Sequence, residues 1–144
     1  MTETASIGAM SKQALAELDG VLSCIAPDAA GVMSDEIVRA RTIVSAGPGE
    51  LKSAETIVDL ARQAGARVLV VTAQPAGTVP GKADTIIHLP AQTMADDRSG
   101  SSLLPMGTAF EISMLIYFDL VALLLSAKTG QTMEQLRARH FNLE

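Results

Sequence analysis

The most informative segment of the chain is residues 104–125, LPMGTAFEISMLIYFDLVALLL. A short polar entrance leads into a segment in which only Ser113 and Asp119 are polar between Ile112 and Leu125. A helix that is apolar on nearly every side is typical of a buried core. The apolar run is short for a bilayer and carries an acid near its centre, which disfavours a membrane span. We therefore predict a helix in the core or at a subunit interface.

The composition indicates one domain of 144 residues, with an N-terminal helical arm (1–41) and an α/β core with C-terminal helices (42–144). Hydrophobic residues make up 48% and aromatic residues only 3%, and this aliphatic excess favours a homo-oligomer. The net charge of −5 offers no basic stripe, so no nucleic-acid partner is expected. The first residues lack a signal-peptide pattern and Cys24 is the single cysteine, which predicts a cytoplasmic protein. Cys24 lies among apolar residues on a predicted helix face, which favours a buried structural thiol over a reactive one.

Apolar spacing predicts the order of helices and strands. Helical periodicity covers 14–25, with Ser11 as a possible N-cap. A weaker helical pattern over 27–41 follows, and Gly31 is expected to interrupt it. Strand patterns occupy 42–46, 68–71 and 86–89, and a helix that ends at Gly65 is predicted between the first two. Thr132 and Gln135 have capping-box spacing, which predicts a last helix after them. Strand, helix, strand predicts a layered α/β domain with a parallel sheet, which binds ligands beyond the carboxyl ends of its strands.

A glycine-rich turn, Gly47-x-Gly49, follows the first strand and precedes a helix. Backbone N–H groups in such a turn, together with a helix N-terminus, can hold a phosphate, and Lys52 and Ser53 offset the charge of Glu50. The alternative is a turn that only reverses the chain. A dinucleotide fingerprint requires a further glycine where Lys52 stands, so NAD is disfavoured and no cofactor is expected.

Glu111 is the carboxylate whose position favours chemistry, because it lies in the first turn of the long helix, where ligands gather. The alternative is a capping box in which Glu111 binds the amide of Thr108. His140 lies on a basic terminal helix and is either catalytic or simply solvated. His88 alternates with apolar neighbours and is predicted to face a helix, and two histidines without partner ligands predict no metal site.

Two segments carry a resemblance to a known family: Pro105 to Glu111 in the helix entrance, and the terminal RHFNLE at 139–144. They resemble the 6-phospho-3-hexuloisomerases, which belong to the sugar isomerase (SIS) domain proteins, and the similarity extends over about 46–144. The family has a first glycine–serine loop, a helix, a strand and a further helix that have no counterpart here. Residues 42–50 resemble a splice between the first strand of the family and its SGSGET loop, so fewer strands are expected.

The resemblance implies a flavodoxin-type SIS fold, a dimer or tetramer, no cofactor, and isomerisation of D-arabino-3-hexulose 6-phosphate to fructose 6-phosphate through an enediol. Glu111 matches the general base of the family, and His140 matches a histidine near the sugar. Gly47 and Gly49 match the phosphate loop, which Lys52 and Ser53 follow.

Three hydroxyl side chains of the family's phosphate loop are replaced here by Ala46, Pro48 and Leu51. Each lost hydrogen bond to a charged group costs about 1.5–3 kcal/mol, so we expect an isomerase with weakened, millimolar phosphate binding. The alternative is a non-catalytic phosphosugar-binding or structural subunit, and a third interpretation is a different small-molecule enzyme or binder that uses the Gly47 turn.

Overall fold

The computed structural model describes residues 6–39, 42–47, 52–93 and 102–139. In chain order these residues form α1 (Ile7–Ser23), α2 (Ala29–Val38), β1 (Thr42–Gly47), α3 (Lys52–Gln63), β2 (Arg67–Thr72), a 3-10 helix (Pro80–Lys82), β3 (Thr85–His88), α4 (Thr108–Thr129) and α5 (Met133–Arg139). The three strands are parallel and lie in the order β1–β2–β3. The predicted layered α/β fold is confirmed, whereas the division at residue 41 stays a prediction.

Strand β2 lies at the centre of the sheet and is buried on both faces. Leu69 and Val71 belong to a core cluster that also contains residues of α1, α2 and α4. Val68 and Val70 belong to a second cluster together with Val58 of α3. Successive side chains of a strand point to opposite faces, so the continuous apolar run of β2 is the pattern that two covered faces require. Helices therefore cover the sheet on both sides.

The N-terminal helices differ from the prediction in detail. The N-cap of α1 is Ser6, whose hydroxyl accepts a hydrogen bond from the Ala9 N–H at 3.3 Å, so the prediction of Ser11 is wrong. Residues 7–13 are all exposed, and hence no buried periodicity marks the start of the helix. Gly31 lies inside α2 without interrupting it. Cys24 is exposed, which corrects the predicted buried thiol, because it follows the last turn of α1.

Two helix boundaries follow the predicted local signals. Gly65 has φ +77°, its N–H donates to the Arg62 carbonyl at 2.9 Å, and the next N–H donates to the Ala61 carbonyl at 3.0 Å. This is a Schellman ending, which favours glycine. At α5, the Thr132 N–H donates to Gln135 Oε1 at 2.9 Å and the Gln135 N–H donates to Thr132 Oγ1 at 3.2 Å. The predicted capping box is confirmed.

Helix α4 is buried on one side only, which corrects the prediction of a helix that is buried on nearly every side. Its outer face exposes Leu115 by 63% and Leu123 by 58%. Among the described residues, α4 is the one helix long and apolar enough to cross a membrane by length and composition. The core helix of a folded domain meets the same criterion, and α4 packs on α1 and α2. The residues that it buries in the core are Ala109, Phe110, Ser113, Tyr117 and Val121.

A buried carboxylate ties α2 to the amino ends of two strands. Glu36 accepts hydrogen bonds from Arg67 Nε at 2.8 Å and Nη2 at 2.7 Å, from Arg39 at 3.3 Å and from the Thr85 hydroxyl at 3.5 Å. The hydrogen bond from Arg67 is the main cause that lowers the pKa of Glu36 below its ordinary value. Because Arg67 begins β2 and Thr85 begins β3, this bidentate pair fixes α2 at the amino edge of the sheet.

Candidate active site

Three residues end the parallel strands in one row at the carboxyl edge of the sheet. Gly47 is in register with Thr72, and Thr72 is in register with His88. The Thr72 hydroxyl accepts from the Gln74 N–H at 3.0 Å, and the Thr72 carbonyl accepts from the Leu89 N–H at 3.0 Å. His88 is exposed, so the prediction that it faces a neighbouring helix is wrong. The edge therefore presents a glycine, a fixed hydroxyl and an accessible imidazole side by side.

A polar link joins the segments that leave β2 and β3 at this edge. Gln74 Nε2 donates to Thr93 Oγ1 at 3.2 Å, and Thr93 is buried. The sequence interpretation did not assign Thr72, Gln74 or Thr93 to the site. The signal that could have found them is their position, since polar residues that follow strand ends directly line the usual ligand crevice of α/β proteins.

The predicted phosphate-binding residues Lys52 and Ser53 begin α3 and are exposed. Gly47 ends β1 at the carboxyl edge of the sheet, and α3 begins five residues later. The first N–H groups of a helix have no partner within the helix and favour anions. Lys82 is less suited than Lys52 to binding an anion, because its ammonium group is already paired with two carboxylates. Asp59 and Glu55 accept hydrogen bonds from Lys82 at 2.8 Å and raise its pKa.

Glu111 lies in the first turn of α4 but does not form the capping box with Thr108. Both the N–H and the hydroxyl of Thr108 donate to the Pro105 carbonyl, at 3.0 and 2.7 Å, and the N-cap residue is Gly107. The Glu111 N–H donates to the Gly107 carbonyl at 3.1 Å. The Glu111 side chain is exposed, and its carboxylate has no hydrogen bond or ion pair within the described part of the chain. The alternative prediction, that Glu111 caps the Thr108 amide, is therefore wrong.

The direction of α4 brings Glu111 toward the carboxyl edge. At its end, Lys128 pairs with Asp35 of α2, next to the residue that binds the amino ends of β2 and β3. Glu111 precedes Lys128 by 17 residues, about 25 Å of helix at 1.5 Å per residue. Since a six-residue strand spans about 20 Å, Glu111 lies at the level of the strands' carboxyl ends. The adjacent Phe110 shares its core cluster with Leu89, which follows β3.

Two residues of the predicted site, Gly49 and His140, lie outside the described residues. Within the described ranges, no three His, Cys, Asp or Glu side chains are grouped closely enough to hold a metal ion. The structure thus brings Gly47, Lys52 and Ser53 to the same end of the domain as Glu111. It adds Thr72 and His88 to them. A carboxylate can act as a base and a helix N-terminus can bind an anion.

A parallel sheet that helices cover on both faces defines a layered α/β protein. No family model matches the chain. A crystal structure of a hypothetical protein from Methanococcus jannaschii aligns over 96% of this chain and 98% of its own, with a TM-score of 0.66 and 19% identity. A molecular function of 3-hexulose-6-phosphate isomerase was inferred from that crystal structure. At this identity the match shows the fold alone.

The sequence relatives are more specific. The 3-hexulose-6-phosphate isomerase of Bacillus subtilis is 34% identical over 104 residues, which cover 71% of this chain and 56% of the relative. The protein of the same name from Mycobacterium gastri is 35% identical over 96 residues, covering 67% of this chain and 46% of the relative. The chain thus spans about half the length of the curated relatives it matches. It is a sequence relative of the 3-hexulose-6-phosphate isomerases, which confirms the resemblance.

Proposed function

We propose that this chain is a phosphosugar isomerase that interconverts 3-hexulose 6-phosphate and fructose 6-phosphate, with Glu111 as the base. The observation that carries the proposal is the exposed carboxylate of Glu111, which has no partner among the described residues and lies at the level of the strands' carboxyl ends. The names of the sequence relatives support the reaction type. A positioned base typically accelerates proton transfer about 10²–10⁴-fold.

In this reaction Glu111 takes the proton from C2 of the 3-hexulose, next to its C3 carbonyl. The electron pair of the C–H bond forms a C2=C3 double bond, and the C3 carbonyl oxygen takes a proton, which gives an enediol. Return of a proton to C3 and loss of the proton on the C2 hydroxyl leave the carbonyl at C2. This proton transfer requires no cofactor. We propose that His140 donates the proton that the C3 carbonyl oxygen takes.

The phosphate is proposed to bind at the start of α3, between the Gly47 turn and the exposed side chains of Lys52 and Ser53. Because Ala46, Pro48 and Leu51 replace hydroxyl residues of the family loop, the expected affinity is millimolar, about 4 kcal/mol of binding free energy. Removing the Lys52 charge with Lys52→Ala should weaken binding by about tenfold or more. Lys12→Ala, an exposed lysine of α1, is the matched control.

The outer face of α4 supports a homo-oligomer, dimer or tetramer, as part of the same proposal. Glu111, Leu115, Asp119 and Leu123 are spaced by four residues and share one exposed stripe of the helix. A second copy that covers Leu115 and Leu123 would also exclude water from the neighbourhood of Glu111. Cytoplasmic location and the lack of nucleic-acid and membrane partners stay predictions.

The test is Glu111→Gln, with turnover of 3-hexulose 6-phosphate and exchange of its C2 proton with deuterated solvent as readouts. We expect turnover and exchange to fall at least about 100-fold while sugar-phosphate affinity, measured by calorimetry, changes less than about twofold. Glu134→Gln, in the exposed first turn of α5, is the control of equal chemistry. Unchanged turnover in Glu111→Gln would refute the role of the base.

The second candidate is a phosphosugar-binding subunit without turnover. The specific observation that favours it is the replacement of three loop hydroxyls by Ala46, Pro48 and Leu51. The same experiment distinguishes the two candidates, because a binder shows calorimetric affinity that depends on Lys52 but no exchange of the C2 proton in the unmodified chain.

A further inference from the structure

The entrance of α4 is a turn in which two consecutive residues have positive φ. Met106 has φ +56°, and Gly107 has φ +86° and ψ +5°. The Thr108 N–H closes the turn by donating to the Pro105 carbonyl at 3.0 Å, which matches a type I′ turn. Glycine adopts this conformation freely, whereas a residue with a side chain is disfavoured there. Such a turn persists when the surrounding contacts hold it.

Leu104 packs against the core cluster, and Glu17 of α1 adds hydrogen bonds that hold this segment. The Glu17 carboxylate accepts hydrogen bonds from the Ser102 hydroxyl and, at 3.1 Å, from the Leu103 N–H. The Ser102 hydroxyl also accepts from the Leu104 N–H at 3.1 Å. Glu17 lies 85 residues before Ser102, so these bonds link two distant parts of the chain. Glu17 and Ser102 are both half-buried, and the proposed chemistry uses neither of them.

We infer that Glu17 is a positioning residue that fixes the entrance of α4 and thereby the orientation of Glu111. The Glu111 N–H donates to the carbonyl of Gly107, which directly follows the strained residue Met106. A change of φ at Met106 or Gly107 therefore shifts the first helical turn, which carries the proposed base. Without the anchor, the turn can relax toward negative φ at Met106, and displacement of a reacting group by about 1 Å can cost about 100-fold in rate. The inference rests on the proposed function for its catalytic consequence.

The test compares Glu17→Ala with Asp19→Ala in the full chain. Asp19 lies on the same helix, is exposed, and has no hydrogen bond or ion pair within the described ranges, so it controls for the lost charge. In Glu17→Ala we expect kcat to fall about tenfold or more with KM changed less than about twofold, because the phosphate site is untouched. Glu17→Gln keeps an acceptor oxygen, so its kcat should lie between those of Glu17→Ala and the unmodified chain. Ser102→Ala removes the hydroxyl that donates to Glu17 and should also lower kcat.

Amide hydrogen exchange provides a readout that does not depend on turnover. We expect the N–H groups of Leu103, Leu104 and Thr108 to exchange about tenfold faster in Glu17→Ala than in the unmodified chain or in Asp19→Ala. Unchanged exchange at these amides overturns the inference, and so does unchanged kcat in an active background. If the unmodified chain has no turnover while exchange is accelerated, the proposed function fails and the anchoring by Glu17 is supported.

Discussion

Replacing Leu123 by Gln on the outer face of α4 should dissociate the proposed oligomer without unfolding the subunit. Leu123 is 58% exposed in the single chain, so a second copy can remove about half of its side chain from water. Full burial of a leucine stabilises by about 1.5–3 kcal/mol, which gives roughly 1–1.5 kcal/mol for the exposed half. A twofold-symmetric contact uses the position twice. The dimer should therefore lose about 2–3 kcal/mol, a rise in Kd of about 30- to 150-fold.

Sedimentation velocity over a concentration series measures this change in Kd. The matched control is Leu60→Gln on α3, because Leu60 is exposed by 59%, almost the same fraction, but lies on the other side of the sheet. Far-ultraviolet circular dichroism of both variants should match that of the unmodified chain. The reasoning is refuted if the unmodified chain is a monomer at micromolar concentration, or if Leu60→Gln weakens association as much as Leu123→Gln.

Further predictions concern stability. Gly31→Ala should stabilise by about 0.5–1 kcal/mol in urea titration, because a Cβ meets no atom within 4 Å inside α2. Gly65→Ala should destabilise by about 1–2 kcal/mol in the same assay, since its φ is +77°. Phe110→Ala, at a position with no exposed surface, should cost about 3–5 kcal/mol. The pKa of Glu36 is lowered in the folded state by Arg67, so its stabilisation is complete above the unfolded pKa and is lost as pH falls through the folded pKa. The Tm difference between the unmodified chain and Glu36→Gln should accordingly shrink from pH 7 to pH 3, and an unchanged difference contradicts the assignment.

Local signals predicted the elements whose causes lie within a few residues. The continuous apolar run of β2, the glycine ending at Gly65 and the Thr132–Gln135 capping box each depend on neighbours in sequence. The edge at which we propose the site also followed from element order, because parallel strands place their carboxyl ends together. The start of α1 at Ser6 was missed, since its first turns bury no side chain that could mark them.

The roles of side chains at the site were harder to predict because several partners compete for them. Thr108 and Glu111 have capping-box spacing, yet Thr108 donates to the Pro105 carbonyl because the preceding turn has positive φ at Met106 and Gly107. That turn is held in part by Glu17, a contact that no local pattern contains.

Periodicity and chain order were sufficient to predict the class of the fold, the parallel direction of its strands and the long apolar helix. The side of α4 that is buried depends instead on tertiary packing. A helix that is apolar all round has no intrinsic inner face, and its packing against α1, α2 and the sheet selects Phe110 and Val121 for the core. The same packing leaves Leu115 and Leu123 exposed on the stripe that contains Glu111. Segments that are distant in sequence set which face of the helix stays exposed, and the spacing of apolar residues within α4 does not.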